Sequence, residues 1–157
     1  GTGGEGRRFI DAMTGVLGSL AKMIVADGEG AQHVVTIEVS GAPSEDAAQM
    51  VARTVATSLL VKTAIFGADP NWGRILAAAG RSGVAFDPDR TEIYFDDVAV
   101  VRNGVGIGAS AETHAREVMQ RPEYSIRLKI GPGAAHARYI TCDLGNDYVR
   151  VNSHYRS

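Results

Sequence analysis

The sequence predicts an α/β chain, in the α+β variant, with one continuous unit over residues 1–157. Three observations predict it. Helix-period and strand-period apolar patterns follow one another through the first sixty residues. A late stretch returns to strict alternation on both sides of Gly131-Pro132-Gly133. The chain has 157 residues, 45% of them hydrophobic and 22% charged, which suffices for one core of ordinary size.

The first element is a helix over 7–26. Phe9, Met13, Val16, Leu17, Leu20 and Ile24 recur at intervals of three and four, which gathers them on one stripe. Gly15 and Gly18 weaken it by roughly 1 kcal/mol each relative to alanine. Asp27-Gly28-Glu29-Gly30 ends it in a turn. Val35, Ile37 and Val39 then alternate with Thr36 and Glu38, as in a strand with one buried face.

Ser44, followed by Glu45 and Asp46, announces the next helix: a capping hydroxyl and two acids at the positive end of the dipole. Its predicted inward face is Ala48, Val51, Ala52, Val55 and Leu59. Residues 60–66 are apolar and short, and periodicity leaves them open between strand and buried helix end. Residues 67–71 break the pattern. A brief helix over 72–79, capped by Asn71 and closed by Gly80, follows. Asp87-Pro88-Asp89 is a turn, and 92–95 and 98–102 read as strands joined around Asp96-Asp97. Asn103-Gly104 turns again into a helix over 111–120, with Ser110 as its cap and Pro122 beyond its end. Ile126, Leu128 and Ile130 form a strand whose return through Cys142 is expected to make an antiparallel hairpin.

Charge and spacing exclude several functions. A net charge of -2 gives no reason to expect nucleic acid or an anionic membrane as partner. No run approaches 18 uninterrupted apolar residues, so no membrane span is expected. The opening residues lack the apolar stretch of a signal peptide. The lone Cys142 fits a reducing compartment. His33, His114, His136 and His154 have no metal-ligand spacing, and no nucleotide-phosphate motif occurs.

Three places carry candidate chemistry. The turn holding Glu29 reads either as a helix end with solvated acids or as a carboxylate aimed at a ligand ammonium. Asp69-Pro70-Asn71-Trp72-Gly73-Arg74 reads either as a structural corner or as a loop lining a site. There Asn71 caps, Trp72 offers a large apolar body, and Arg74 suits a carboxylate. The patterned tail 147–152 reads either as docked or as an exposed end. If docked, it gathers the Asn152 amide, the Ser157 hydroxyl and the terminal carboxylate in one neighbourhood. Spacing alone leaves an enzyme lobe and a binding module on an equal footing.

Four separated stretches resemble the ornithine acetyltransferase (glutamate N-acetyltransferase) family of arginine biosynthesis: ADGEGA at 26–31, LVKTAIFGADPNWGRILAA at 60–78, FDPD at 86–89, and CDLGNDYVRVNSHYRS at 142–157. They occur in family order, and the second is the most specific. The resemblance implies layered helices with mixed and antiparallel sheets, and a match to the C-terminal portion of the second, beta, chain of a self-cleaved precursor. It implies ping-pong transfer of acetyl from N-acetylornithine to glutamate through an acetyl-threonine, releasing ornithine and N-acetylglutamate, with no cofactor and no metal.

On this resemblance Glu29, Asn152 and Ser157 are substrate-binding residues. Asn71, Trp72 and Arg74 are candidates to support the site. The nucleophilic threonine is expected upstream, so the chain alone is expected to be inactive and Thr2 is not the nucleophile. The implied partners are the N-terminal alpha chain of the same precursor and further copies of the two-chain unit, in the cytoplasm. Two departures stand out: Gly145-Asn146 replaces a common Thr-Tyr-like pair, and Arg81 stands where tyrosine is common. The rival readings are a non-catalytic amino-acid-binding or assembly domain, and a self-processed amidohydrolase or aminopeptidase.

Overall fold

A computed structural model describes residues 4–28 and 30–154. In chain order they form α1 (Gly4–Ala26), β1 (Val34–Ala42), α2 (Glu45–Ala56), α3 (Leu59–Phe66), α4 (Trp72–Gly80), β2 (Glu92–Phe95), β3 (Val98–Arg102), β4 (Val105–Gly106), α5 (Ala109–Met119), β5 (Glu123–Lys129), β6 (Ala135–Cys142) and α6 (Asn146–His154). The six strands make one mixed sheet in the order β4-β3-β2-β5-β1-β6. β1 runs parallel to β5 and antiparallel to β6, and the β2, β3 and β4 pairings are antiparallel.

Strand alternation sets which face is dry. Val35, Ile37 and Val39 of β1, Ile126 and Leu128 of β5, and Ile93 and Phe95 of β2 are all essentially buried. They share one core with Val51 and Val55 of α2, Ile65 of α3, Ile75 of α4 and Val118 of α5. Ser44 starts α2 as the sequence predicts, its hydroxyl accepting from the Ala47 amide at 3.1 Å. Asn71 starts α4, accepting from the Arg74 amide at 3.1 Å. The ambiguous residues before the 67–71 break are helix α3, not a strand.

Three local expectations change. Leu59 is not on the inward face of α2; that helix ends at Ala56, and Leu59 opens α3 with 66% of its surface exposed. Ser110 does not cap α5. The helix begins two residues earlier than expected, at Ala109, with Gly108 as its cap. The chain enters through a backbone turn that supplies no side-chain acceptor, so pattern alone overestimates Ser110.

The expected hairpin of β5 and β6 is also corrected: β1 lies between them. The connection crosses the end of β1, with Ile130 N donating to Ser40 O and Gly133 N to Gly41 O, each at 3.0 Å. This crossing is very close. A Cβ on Gly41 would stand 2.1 Å from the Gly131 carbonyl oxygen, and one on Gly133 would stand 2.0 Å from that of Ala42. The Gly-Pro-Gly signal therefore marks a reversal, but a wide one that steps over an apolar strand.

The other face of the sheet is polar. Arg138 pairs with Glu38, and Lys129 with Glu92, at 3.0 and 2.9 Å. The Arg127 guanidinium lies over the Tyr94 ring, 5.2 Å from its centroid. α1 crosses this face near β1 and β6, leaving a gap between its Thr14, Gly15 and Ser19 and the strands' Thr36, Glu38 and Arg138. Its predicted apolar stripe exists but is uncovered: Phe9, Val16, Leu17 and Ile24 are all more than half exposed. With 23 residues and a mean hydropathy of 1.5, α1 is long and apolar enough to cross a membrane by length and composition. Asp11, Thr14, Ser19 and Lys22 interrupt it, giving an amphipathic helix that must cover its stripe against something.

Candidate functional site

The turn after α1 is built by its own backbone. Asp27 N donates to Met23 O at 2.9 Å, and Ala31 N to Gly28 O at 3.0 Å. Glu29 itself lies outside the described residues, as do Thr2 and Ser157. The glycines on either side of Glu29 place the loop. Gly28 lies over Cys142 at the end of β6, whose Sγ would be 3.7 Å from a Cβ at Gly28. Gly30 has a positive φ of 75° and rests on the first turn of α6, where a Cβ would be 2.7 Å from Asp147 Cβ and 3.1 Å from Tyr148 N. Two stretches more than a hundred residues apart in sequence thus meet at one end of the sheet.

Asp143 ties them together. Its side chain is fully buried, and its Oδ1 accepts from the amides of Gln32 and His33 at 2.8 and 3.0 Å. Its Oδ2 is 3.4 Å from His33 Nδ1. A buried carboxylate is tolerated when donors satisfy it, and here two backbone donors do so. Next along the chain, Leu144 N donates to Lys62 O at 3.1 Å. Lys62 Nζ in turn donates to Thr141 Oγ1 at 3.3 Å and lies 3.6 Å from Cys142 Sγ. Gly145 presses against Phe66, and a Cβ there would stand 2.4 Å from the ring. The departure at Gly145 from a threonine therefore goes with a close-packed phenylalanine.

Through the described residues the tail is the helix α6, which buries no residue and meets the 27–31 turn at its first turn, where Gly30 lies against Asp147 and Tyr148. In α6, Asn152 Nδ2 donates to Tyr148 O at 2.8 Å, and Arg150 pairs with Asp147 at 3.0 Å. A crevice of about 510 Å³ opens beside this cluster, lined by Gln32, His33, Phe66, Gly67, Gln120 and Pro122 among others. Behind it, Tyr124 is buried, with its ring 6.3 Å from His33 and 6.5 Å from Phe95. Among the described residues its hydroxyl has no partner. Burial pushes the phenol well above its ordinary range, and the charges of Asp143 and Asp96 add to the shift.

Asn71, Trp72 and Arg74 sit elsewhere. Asn71 caps α4 and also donates through Nδ2 to Asp69 Oδ2 at 3.0 Å. Trp72 packs on the core, and Arg74 Nη1 donates to the Leu60 carbonyl at 3.2 Å. Their described hydrogen bonds stay within that corner and do not reach the 27–31 turn or α6. The His33–Asp143 pair escaped the sequence reading, because no spacing rule links positions 33 and 143. Among the described residues, no group of three or more His, Cys, Asp or Glu side chains could hold a metal ion.

Comparison with known proteins bears on this cluster. The ArgJ family model matches residues 3–157. The arginine biosynthesis bifunctional protein ArgJ of Syntrophotalea carbinolica is 48% identical over 153 residues, covering 98% of this chain and 39% of that protein. The protein of the same description from Desulfotalea psychrophila is 50% identical over 149 residues, covering 95% and 38%. The crystal structure of arginine biosynthesis bifunctional protein ArgJ from Bacillus halodurans superposes with a TM-score of 0.89 at 36% identity, covering 95% of this chain and 70% of that one. The mixed α/β layering expected from the sequence is the fold of that structure. The chain spans about two fifths of the length of the curated relatives it matches.

Proposed function

Since the chain belongs to the ArgJ family, we propose that it is the substrate-holding part of an acetyltransferase of arginine biosynthesis. In this reading residues 1–157 form one unit of the second chain of a self-cleaved precursor. They work in the cytoplasm against the N-terminal alpha chain, in an assembly of two-chain units. The reaction moves acetyl from N-acetylornithine to glutamate. A threonine hydroxyl on the upstream segment attacks the amide carbonyl, the C–N bond breaks, and ornithine leaves carrying the proton. The glutamate amine then attacks the acetyl-threonine ester, releasing N-acetylglutamate and restoring the hydroxyl. Donors for the developing oxyanion come from the partner chain. The chemistry requires no cofactor.

This chain's share is to bind and orient. Glu29 takes the α-ammonium of ornithine or glutamate, and Asn152 and Ser157 hold polar groups of the substrate backbone. The observation that carries this reading is the seating of Gly30 on Asp147 and Tyr148, which brings the Glu29 turn onto the helix that contains Asn152. The uncovered stripe of α1 supports a partner chain, because so much exposed apolar surface is unusual on an isolated domain.

The test is acetyl transfer by the complete two-chain enzyme carrying Glu29→Ala. The reading expects kcat/KM to fall by at least a hundredfold (about 3 kcal/mol) in both half-reactions. Near-normal values would reject Glu29 as a substrate contact. Intact mass spectrometry of the assembly should show an associated second chain and a segment beginning with threonine. A single species that binds amino acids without transferring acetyl would favour the binding-module reading instead.

A further inference from the structure

The ladder between β1 and β6 ends with Val34 opposite Cys142. One residue further the two stretches part, one leading back to the 27–31 turn and the other on to α6. The backbone bond left between them, Asp143 N to His33 O, is stretched to 3.4 Å. A side chain takes over at this point. Among the described residues, Asp143 accounts for every side-chain hydrogen bond that joins residues 30–33 to 143–147. Its Oδ1 accepts from the Gln32 and His33 amides, and its Oδ2 meets His33 Nδ1. At the far end of the same frame Gly30 rests on Asp147 and Tyr148. The turn is thus held to α6 twice, by a polar bond at its base and a close approach at its tip.

The base of the frame is an expensive place for a carboxylate. The Asp143 side chain is fully buried, and a buried charge is tolerated only where donors meet it. The donors it has come from the opposite stretch. Its two amides are those of the third and fourth residues after Glu29, so a shift there passes to the turn through Gly30 and Ala31 alone. Sealed from solvent, the carboxylate itself touches no substrate, and any effect it has on the reaction runs through the residues it holds.

We propose that Asp143 is a positioning residue. By gripping the Gln32 and His33 amides it sets the interval between the 27–31 turn and α6, and so the geometry in which Glu29 and Asn152 meet a zwitterionic amino-acid substrate. The inference rests on the acetyl-transfer reading, which supplies those two contacts; what it adds is that a buried carboxylate fixes the distance between them. A turn out of place weakens the hold on substrate, whereas a loss of folded protein lowers turnover and leaves KM where it was.

Steady-state kinetics of the complete two-chain enzyme separate these effects. Asp143→Ala should raise KM for both N-acetylornithine and glutamate by about tenfold or more, with kcat per folded enzyme changed much less. Asp143→Asn keeps an acceptor for both amides and should bring KM back to within roughly threefold of the parent. Asp143→Glu serves as a second variant should the alanine protein fold poorly. It moves both oxygens by one methylene and should raise KM as well. In a Glu29→Ala background, Asp143→Ala should add little to KM, because the side chain that it positions is gone. A fall in kcat with KM unchanged in the alanine and glutamate variants would overturn the proposal and leave the acetyl-transfer reading standing. So would KM increases that simply multiply those of Glu29→Ala. A silent Glu29→Ala would instead reject Glu29 as a substrate contact, and this inference with it.

Discussion

Gly30 and Asp147 lie against each other although most of the chain separates them: a Cβ on Gly30 would stand 2.7 Å from that of Asp147. The contact fixes where the Glu29 turn sits, because Gly30 also holds a φ of 75° that L side chains rarely adopt. Gly30→Ala should therefore lower stability by about 1–2 kcal/mol through φ strain alone, and more through the clash with α6. It should also reduce kcat/KM of the complete enzyme by more than its loss of folded protein explains. Gly15→Ala is the control. Nothing lies within 4 Å of a Cβ there, so helix propensity should gain roughly 1 kcal/mol. Equal activity in both variants would sever the turn from the site.

Tyr124 carries a buried hydroxyl with no partner among the described residues. An orphaned polar group of this kind costs about 1–3 kcal/mol of desolvation. Tyr124→Phe should therefore leave stability at neutral pH unchanged or raise it by about 1 kcal/mol, read as a denaturant midpoint. The two proteins should diverge further in alkali. The folded phenol titrates above its unfolded value, so the parent keeps full stability below the ordinary phenol range and loses it as pH rises through and beyond that range. The phenylalanine variant has no such loss. Greater destabilisation of the variant at neutral pH would mean that the hydroxyl is satisfied after all.

Glu92 lies under the hydroxyl of Tyr94 and the ammonium of Lys129. The Tyr94 hydrogen bond first, and the Lys129 bond second, hold its carboxyl below the ordinary glutamate range. A depressed folded pKa contributes stability that is complete above the unfolded value of about 4.3 and is lost as pH falls through the folded one. Glu92→Gln should flatten the acid limb of the stability–pH curve below that value and leave the neutral region little changed, since partly exposed pairs contribute little. An unchanged acid limb would assign acid unfolding to other carboxylates.

Asp143 offers an ordered series. Asp143→Ala removes the acceptor of two amides and should cost about 3 kcal/mol or more. Asp143→Asn keeps an acceptor for Gln32 and His33 and should cost distinctly less. Chemical denaturation of both variants measures the difference. Equal losses would show that the carboxylate's charge, rather than its acceptance of the two amides, holds the strand ends together.

What was legible in the sequence was local. Val35, Ile37 and Val39 disclose the buried face of β1 because alternation is a property of one strand. Ser44 and Asn71 announce their helices because a cap acts within three residues. The partner of β6 was not legible, because a turn signal at Gly131-Pro132-Gly133 reports a reversal and not the strand that fills the gap. Nor was the His33–Asp143 contact, which depends on two strand ends meeting. The stripe on α1 was read correctly as a stripe. That it stands uncovered in this chain is a fact about its surroundings, and no periodicity encodes it. At the site, the two neighbourhoods singled out in the sequence, the 27–30 turn and the tail, do meet, through Gly30 and Asp147. Asn71, Trp72 and Arg74 share their motif but belong to another corner.

The interior position of β1 has a consequence for how the molecule forms. Its two neighbours begin at Glu123 and Ala135, so β1 must wait for distant residues of the chain before it gains a partner on either side. Closing such long loops is slow, and an apolar strand with both edges open is the kind of segment that associates wrongly. The rate-limiting event in folding should therefore be the arrival of β5 beside β1, with the step-over to β6 locking it afterwards. Early protection of α2 against hydrogen exchange, ahead of β1, would record that order.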